Sequence, residues 1–544
     1  MKVYEAIAHA LQEESVSTVF GLMGDGNLRL LTYWSGDLEQ RYYGTRHESA
    51  AIAMADGYAR VSGDVGVCTT TQGPGVTNAM TALVTARKAR TPLLLMVGDV
   101  ASFQQGWPQD VDHEAIFRAA EVPLIQLRDP ATAFSDVIGA LRLARSSRGP
   151  VGLNMPVDVQ EMEWIAWNDE PPEVALTLGN SSDAAAITAA VDLLCSAKRP
   201  VIIGGRGAVE AGCAELLIEV GDRVGAVFGT SLRGKGLFGE HPFSVGVVGG
   251  LGSNLSATIV GEADVVLVVG AGMNDFTTMR GNLLRPGARV VRCDVVPERT
   301  TGDGVISLPG DAAEVVGALA SELRARSVQR EGYRPRANES LEGFTPESEF
   351  VKVEELDVLD ARSLVIELDR TLPVQRTVVT DAGHFFGYPV AYMRVPDGRS
   401  FVCGIDFGSI GLGIGMAMGA AVANPEHQTV LFIGDGGLLM SLGDLETVVR
   451  YQIPLVVVVL NDAAYGSELQ ILRLFELSED LSVFPDTDFT TIARAVGSRA
   501  VTLRTDDDMA LLKAELISMD GPLVVDAKIS RAVRAAWLEE AFRH

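Results

Sequence analysis

This 544-residue chain predicts an α/β protein of doubly wound parallel sheets, with room for three domains of ordinary size. The first observation is a β-α-β unit between Thr429 and Tyr465, TVLFIGDGGLLMSLGDLETVVRYQIPLVVVVLNDAAY. Val430 to Ile433 reads as a buried strand that turns at Gly434-Asp435-Gly436-Gly437. Leu438, Leu442, Leu445 and Val449 then recur at helical spacing. After Pro454, Leu455 to Leu460 is a second buried strand, stopping at Asn461-Asp462. Strands joined by a crossover helix lie parallel in one sheet. Second, the same pattern of a short apolar run followed by a glycine or acidic turn recurs along the chain. Third, 47% hydrophobic residues supply sizeable cores, and 57 glycines suit many tight strand-to-helix turns.

Residues 1–165 read as the first α/β domain. An amphipathic helix, Tyr4 to Glu14, leads into the strand Thr18-Val19-Phe20 and a turn, Gly21 to Asn27, that carries Asp25. Asn27 caps the helix that follows. Arg46-His47-Glu48 opens an Ala-rich helix, and a carboxylate in the first turn suits the helix dipole. Val65 to Thr70 is a strand entering Gln72-Gly73-Pro74-Gly75-Val76-Thr77-Asn78, and Leu93 to Gly98 is the next. The polar loop Gln104 to His113 follows, and Val151 to Val159 ends the domain. A polar linker, Asn168 to Asp183, leads to a middle domain over residues 184–325. Its strands are Val201-Ile202-Ile203, Val265 to Val269 and Val290 to Cys293. No G-x-G-x-x-G follows any of them, so a dinucleotide is not predicted there. Residues 326–360 are charged, contain Gly and Pro, and read as a second linker. The last domain, residues 361–544, opens with the strand Val378-Val379-Thr380, which enters Asp381-Ala382-Gly383-His384. Phe401-Val402-Cys403 enters Asp406 to Gly411, and Leu523 to Asp526 adds a final strand.

With 45 basic against 71 acidic residues, the net charge of −26 argues against nucleic acid or an anionic membrane as a partner. The start, MKVYEAIAHALQEESV, lacks an apolar signal core, and Gly411 to Ala423 is too short to span a bilayer. Five dispersed cysteines (Cys68, Cys195, Cys213, Cys293, Cys403) form no CxxC pair. The expectation is free thiols in a cytoplasmic protein.

Open α/β sheets bind ligands at the carboxyl ends of their strands, where Asp435 and Asn461 both emerge. A carboxylate and an amide oxygen suit a hard cation such as Mg²⁺, which takes its other ligands from phosphates and water. Glycines at 434, 436 and 437 let backbone amides approach a phosphate, and a helix N-terminus favours its charge. GDG alone is also an ordinary tight turn; Asn461 at the end of the returning strand makes the pair specific. This stretch resembles the GDG…N motif of the thiamine diphosphate-dependent enzymes. There the Asp and Asn side chains bind the metal, with a main-chain carbonyl two residues past the Asn, here that of Ala463. Asp462 departs from the pattern, because many members have a second Asn there.

His47 to Arg60, HESAAIAMADGYAR, resembles the same family's catalytic-glutamate helix. The resemblance implies that Glu48 bonds to N1′ of the aminopyrimidine and promotes the imino tautomer that takes the C2 proton. The cofactor acts as its own base, and the protein supplies tautomer control. Gly73 lies in the family's GPG loop. Gly383, His384 and Tyr465 are implied cofactor contacts, as are Gly408, Ser409 and Ile410. Gly408 would accept from the 4′-amino group, and Ile410 would wedge between the rings. Further catalytic candidates are Asp25, His113 and Glu468, each also readable as an ordinary turn, core or surface residue. The family likeness covers nearly the whole chain and implies three domains: pyrimidine-binding, Rossmann-like and diphosphate-binding. Some relatives hold FAD or ADP in the middle domain; neither is predicted here. The implied unit is a homodimer or homotetramer with sites at the dimer interface. The implied reaction is decarboxylation of a small 2-oxo acid followed by carboligation, as in acetolactate synthases. A Trp that biosynthetic synthases carry beyond the Asn is missing, and Trp107-Pro108 stands for Ala-Phe in their loop. A simple 2-oxo acid decarboxylase, a 2-hydroxyacyl-CoA lyase and a catalytically silent paralogue remain as alternatives.

Overall fold

The computed structural model describes residues 1–104, 106–165, 182–296 and 304–542. Gln105 and most of the expected Asn168–Asp183 linker lie outside the described residues. Among the described residues, eighteen strands form three six-stranded sheets. The first contains β1 (Thr18–Gly21), β2 (Arg41–Gly44), β3 (Gly66–Thr70), β4 (Leu93–Asp99), β5 (Leu124–Gln126) and β6 (Pro150–Pro156). The middle sheet holds β7 (Pro200–Gly204), β8 (Val227–Thr230), β9 (Ser244–Val247), β10 (Val265–Val269), β11 (Arg289–Asp294) and β12 (Val305–Pro309). The last holds β13 (Arg376–Thr380), β14 (Phe401–Cys403), β15 (Gln428–Gly434), β16 (Leu455–Asn461), β17 (Arg499–Leu503) and β18 (Leu523–Lys528). Every pairing between these strands is parallel.

The first sheet runs β2-β1-β3-β4-β6-β5 and the last β14-β13-β15-β16-β18-β17, the same permutation. The outer domains are therefore topological copies. The middle sheet runs β12-β11-β10-β7-β8-β9, which from its other edge is the 3-2-1-4-5-6 Rossmann order. The predicted α/β fold of three doubly wound parallel-sheet domains is thus the observed one. Register fixes the ligand edge. Gly434 pairs with Leu460 and Asn461 with Lys528, so the turns after β15, β16 and β18 open together.

Two local expectations change. The crossover helix after β15 is two helices, Asp435–Met440 and Gly443–Arg450. The Ser441 hydroxyl donates back to the Gly437 carbonyl at 3.0 Å, and Gly443 follows, so the helix restarts. The segment 326–360 does more than link domains. It contains the helix Arg334–Leu341, and Tyr333 and Ala337 are buried in the middle domain's core. The Tyr333 hydroxyl donates to the Ile259 carbonyl at 2.9 Å.

The outer domains share one apolar cluster. At its centre the helix Glu48–Ser62 crosses the helix Gly413–Ala423. A Cβ at Gly57 would collide with the Met416 carbonyl, one at Gly419 with the Met54 carbonyl, and one at Gly415 would lie 2.7 Å from Ala53. Backbone therefore meets backbone, which only glycine allows. No helix among the described residues is long and apolar enough to cross a membrane.

Gly419→Ala should lower stability by about 1–3 kcal/mol through overpacking, read as a fall in melting temperature. The control is Gly317→Ala, in a helix with nothing near the new methyl, which should raise stability by about 0.4–1 kcal/mol. Equal effects at the two positions would remove the close-approach argument.

Candidate active site

At the edge of the last sheet, β13 delivers Asp381, which is fully buried. Its carboxylate accepts from the amides of Gly411 at 2.7 Å and Gly413 at 3.2 Å, pinning the 408–413 loop to the strand end. Burial pushes the Asp381 carboxyl up to about 6, and the backbone donors pull it back. Within the loop Gly408 has φ +73°, and space is open where a side chain would be. The Ser409 hydroxyl donates to the Ile410 carbonyl at 3.2 Å, and Ile410 is half-buried.

Asp435 begins the helix after β15 and is buried. Its carboxyl is pushed up to about 7 by burial and then by the charge of Asp462. Burial also raises Asp462 to about 7. The Ala464 amide opposes both shifts. Two buried carboxylates beside a glycine turn form a site suited to a divalent cation. Among the described residues no group of three or more His, Cys, Asp or Glu side chains could hold a metal. A cation here would therefore complete its shell from backbone, ligand and water.

The Asn461 side chain and the Ala463 carbonyl, the expected metal ligands, are both engaged within the fold. The Asn461 amide nitrogen donates to Asp526 Oδ1 (3.0 Å), the Thr487 carbonyl (3.1 Å) and Asp486 Oδ1 (3.3 Å). Its oxygen accepts from the Ala463 amide at 3.1 Å. The Ala463 carbonyl accepts from the Phe484 amide at 2.9 Å and from Arg531 at 3.0 Å, with Ala463 at φ +52°. Asn461 and Ala463 build the turn, and Asp462 faces Asp435. The cause is strand geometry. Asn461 is still in β16 and directs its side chain against β18, whereas the next residue passes the sheet edge.

Around this pair, His384 is buried with Nε2 3.7 Å from Asp462, and burial holds its ring near 4, hence neutral. Gly383 before it has φ +152°. The Tyr465 ring lies where a Cβ on Gly436 would be, 2.7 Å from its Cε1. Glu468 is exposed in the first turn of the helix Gly466–Leu474, and its charge acts on His384.

The first sheet's edge carries the other candidates. Glu48 is buried and accepts from Asn78 Nδ2 at 3.0 Å. Asp25 is exposed and accepts from Gln72 Nε2 at 2.8 Å; the same nitrogen also donates to Gln109 Oε1 at 3.0 Å. The Thr71 hydroxyl donates to Gln72 Oε1 at 2.7 Å. His113, expected as a catalytic candidate, lies behind the Gly73 turn. It is buried, its Nε2 accepts from the Gly73 amide at 3.3 Å, and its Nδ1 donates to Asn154 Oδ1 at 2.8 Å. Both ring nitrogens are taken, and the ring fixes the Gly73 turn, whose φ is +59°. Sequence reasoning gave Asp462 no role, although its departure from Asn was visible. It also passed over Asp381, whose only signal was its place after a strand. Among the described residues no hydrogen bond joins Glu48, Asp25 or Gln72 to Asp435, Asp462 or the 408–411 loop.

Three family models match the chain: the thiamine pyrophosphate enzyme N-terminal TPP binding domain (residues 1–116), central domain (187–319) and C-terminal TPP binding domain (381–527). The chain belongs to the thiamine diphosphate-dependent enzymes. Its relatives include a probable acetolactate synthase large subunit of Methanocaldococcus jannaschii, 29% identical over 98% of this chain and 92% of the relative. An acetolactate synthase large subunit of Parasynechococcus marenigrum is 29% identical over 97% and 87%. A sulfoacetaldehyde acetyltransferase of Rhodobacter capsulatus is 29% identical over 94% and 92%. This places the enzyme in the acetolactate synthase-like branch. The residues fit the cofactor: open space at Gly408, a glycine turn at 434–437 closely packed by Phe385, Tyr465 and Asp381, a paired-acid cradle, and a buried glutamate held by an amide.

Asp381→Ala should weaken thiamine diphosphate binding about ten- to hundredfold in a fluorescence titration, because two loop amides lose a charged acceptor. Unchanged affinity in a folded variant would show that the loop is held by other contacts.

Proposed function

We propose that this enzyme decarboxylates a small 2-oxo acid and transfers the remaining fragment to a second carbonyl compound, using thiamine diphosphate and Mg²⁺. The observation carrying the cofactor assignment is the buried Asp435–Asp462 pair at the edge where three strand ends and the glycine turn converge. When bound, the cofactor supplies the nucleophilic carbon and the electron sink. Asp435 and Asp462 would hold the metal, and the Gly434–Gly437 turn would offer amides to the diphosphate. Asp381 holds the 408–411 loop in place, and that loop would receive the pyrimidine. Glu48, oriented by Asn78, would hold a proton at the pyrimidine's N1′.

The site is proposed to be completed by a second copy of the chain. Gly408 faces open space, and Phe407, Leu439, Met440, Tyr465 and Leu481 are exposed near the last sheet's edge. Soluble surfaces rarely leave so many apolar side chains together unless something covers them. Transfer, rather than simple release, is supported by relatives named for acetolactate synthesis and acetyl transfer. Asp25 and Glu468 favour a second reading, simple decarboxylation, because an exposed acid at the mouth could protonate the fragment. Product analysis with pyruvate alone separates the two. Acetolactate or acetoin supports transfer; acetaldehyde as sole product supports decarboxylation.

Chelation should abolish thiamine diphosphate binding, since a diphosphate cannot approach two unscreened carboxylates. Asp462→Ala should remove metal-dependent activity. Asn461→Ala should keep the metal requirement but lose about 1–3 kcal/mol of stability, from partners left unsatisfied. The reverse pattern would restore Asn461 as the ligand.

Glu48→Gln should bind thiamine diphosphate normally yet lose about 10²- to 10⁴-fold in turnover. Mixed under subunit exchange, inactive Glu48→Gln and inactive Asp435→Ala chains should recover activity. Hybrids that form without recovering any would refute a site shared between chains.

A further inference from the structure

A second concentration of charge lies away from the strand ends, where the first, middle and last domains meet. Seven arginines line a cavity of about 250 Å³ there, and among the described residues Glu210 is the one acid in its wall. Arg60 comes from the end of the Glu48–Ser62 helix, and Arg145 and Arg148 from the end of the helix Ala133–Ser147. Arg206 and Arg233 belong to the middle domain, and Arg399 to the loop before β14.

Countercharges are few. Arg60 bonds both oxygens of Asp56 at 2.7 Å and reaches Asp406 at 2.9 Å. Arg148 and Arg206 share Glu210, at 2.9 and 3.2 Å. Arg233 pairs with Asp406 and donates to the Ala89 carbonyl at 2.8 Å, and Arg145 pairs with Glu14. These five arginines are thus answered by four acids: Asp56, Asp406, Glu210 and Glu14. Among the described residues the Arg399 guanidinium makes no hydrogen bond or ion pair. It lies over Gly63, where a Cβ would be 2.8 Å from Nη1. Burial and neighbouring guanidiniums pull Arg206 down and Arg233 to about 10, so the charges repel one another where they stand.

We propose that this junction binds a compact multivalent oxyanion of the inorganic phosphate or sulfate class, at a site separate from the cofactor's. Guanidinium forks match tetrahedral oxyanions in geometry and charge, and one such ion would screen groups from all three domains at once. The volume admits an oxyanion together with its hydration water and falls below that of pockets holding drug-sized molecules. A cavity of about 770 Å³ adjoins it at the middle sheet's switch point, beside Gly207 and Gly270, and shares Arg148, Arg206 and Arg233. The proposed ligand is the free anion in the smaller cavity, and a nucleotide phosphate reaching the shared arginines from the larger one is the competing outcome.

The test uses full-length protein saturated with thiamine diphosphate and Mg²⁺. Sodium sulfate and sodium phosphate are titrated against sodium chloride at matched ionic strength, with melting temperature and heat of binding as readouts. Either oxyanion should raise the melting temperature saturably. Arg399→Gln should weaken the apparent affinity about tenfold. That substitution deletes no hydrogen bond, so without anion the variant should melt at or above wild type. Arg148→Gln is the second variant and should weaken the response similarly. No saturable rise beyond chloride, or an undiminished response in both variants, overturns the proposal. A response to ADP with none to phosphate or sulfate overturns it too, assigning the arginines to the larger cavity.

Discussion

The cofactor domains of this enzyme are held together by a contact almost free of side chains. Gly57, Gly415 and Gly419 bring the helices Glu48–Ser62 and Gly413–Ala423 to backbone distance. Each helix begins directly after a functional loop: His47 and Glu48 on one, residues 408–412 on the other. Ala50 and Ala53 meet Gly415, and Met54 meets Gly419, so the helix starts share one end of the contact. A rigid seam of this kind fixes two loops on different sheets without either loop touching the other. Close packing tolerates no added methyl there, which makes the seam a constraint on sequence as much as on shape.

The layout of the outer domains follows from that seam and from topology. Sheets with the same strand permutation place their ligand edges in equivalent positions. One edge ends in Asp381, Asp435 and Asp462, the other in Asp25, Glu48 and Gln72. The first set suits a cation and a diphosphate, and the second offers a buried proton-holding carboxylate and exposed amide and acid groups. Neither set is complete chemistry alone, which is why a second copy enters the functional proposal.

Most of the fold was legible because buried parallel strands announce themselves. LVVVVL after Pro454 has no amphipathic period and no polar break, and β16 is buried along its whole length. Glycine turns after such runs then located the ligand edge. Side-chain direction at the last strand residue was not legible. Asn461 and Asp462 are neighbours in sequence, yet a one-residue step in a strand reverses the face, and only the β18 partner Asp526 decides which one turns inward. The partners of His113 were hidden for a related reason. A histidine in a polar loop looks available, and only the fold reveals that Gly73 and Asn154 take both nitrogens. The Arg334–Leu341 helix was hidden by composition, since its polar sequence buries little beyond Tyr333 and Ala337.

Charge distribution ties these parts together. The chain carries a net −26, and a surface of that sign needs no explanation beyond solubility. The informative charges are the minority that the fold removes from water. Asp435 and Asp462 lie together at the strand ends, and the arginines at the domain junction outnumber the acids that pair with them. Like charges gathered in low dielectric destabilise the folded chain unless a ligand of opposite sign enters. Each cluster sits where separate elements converge, the first at three strand ends and the second at three domains. The folded chain therefore keeps a deficit of opposite sign at each place, and each deficit names the charge of what should fill it.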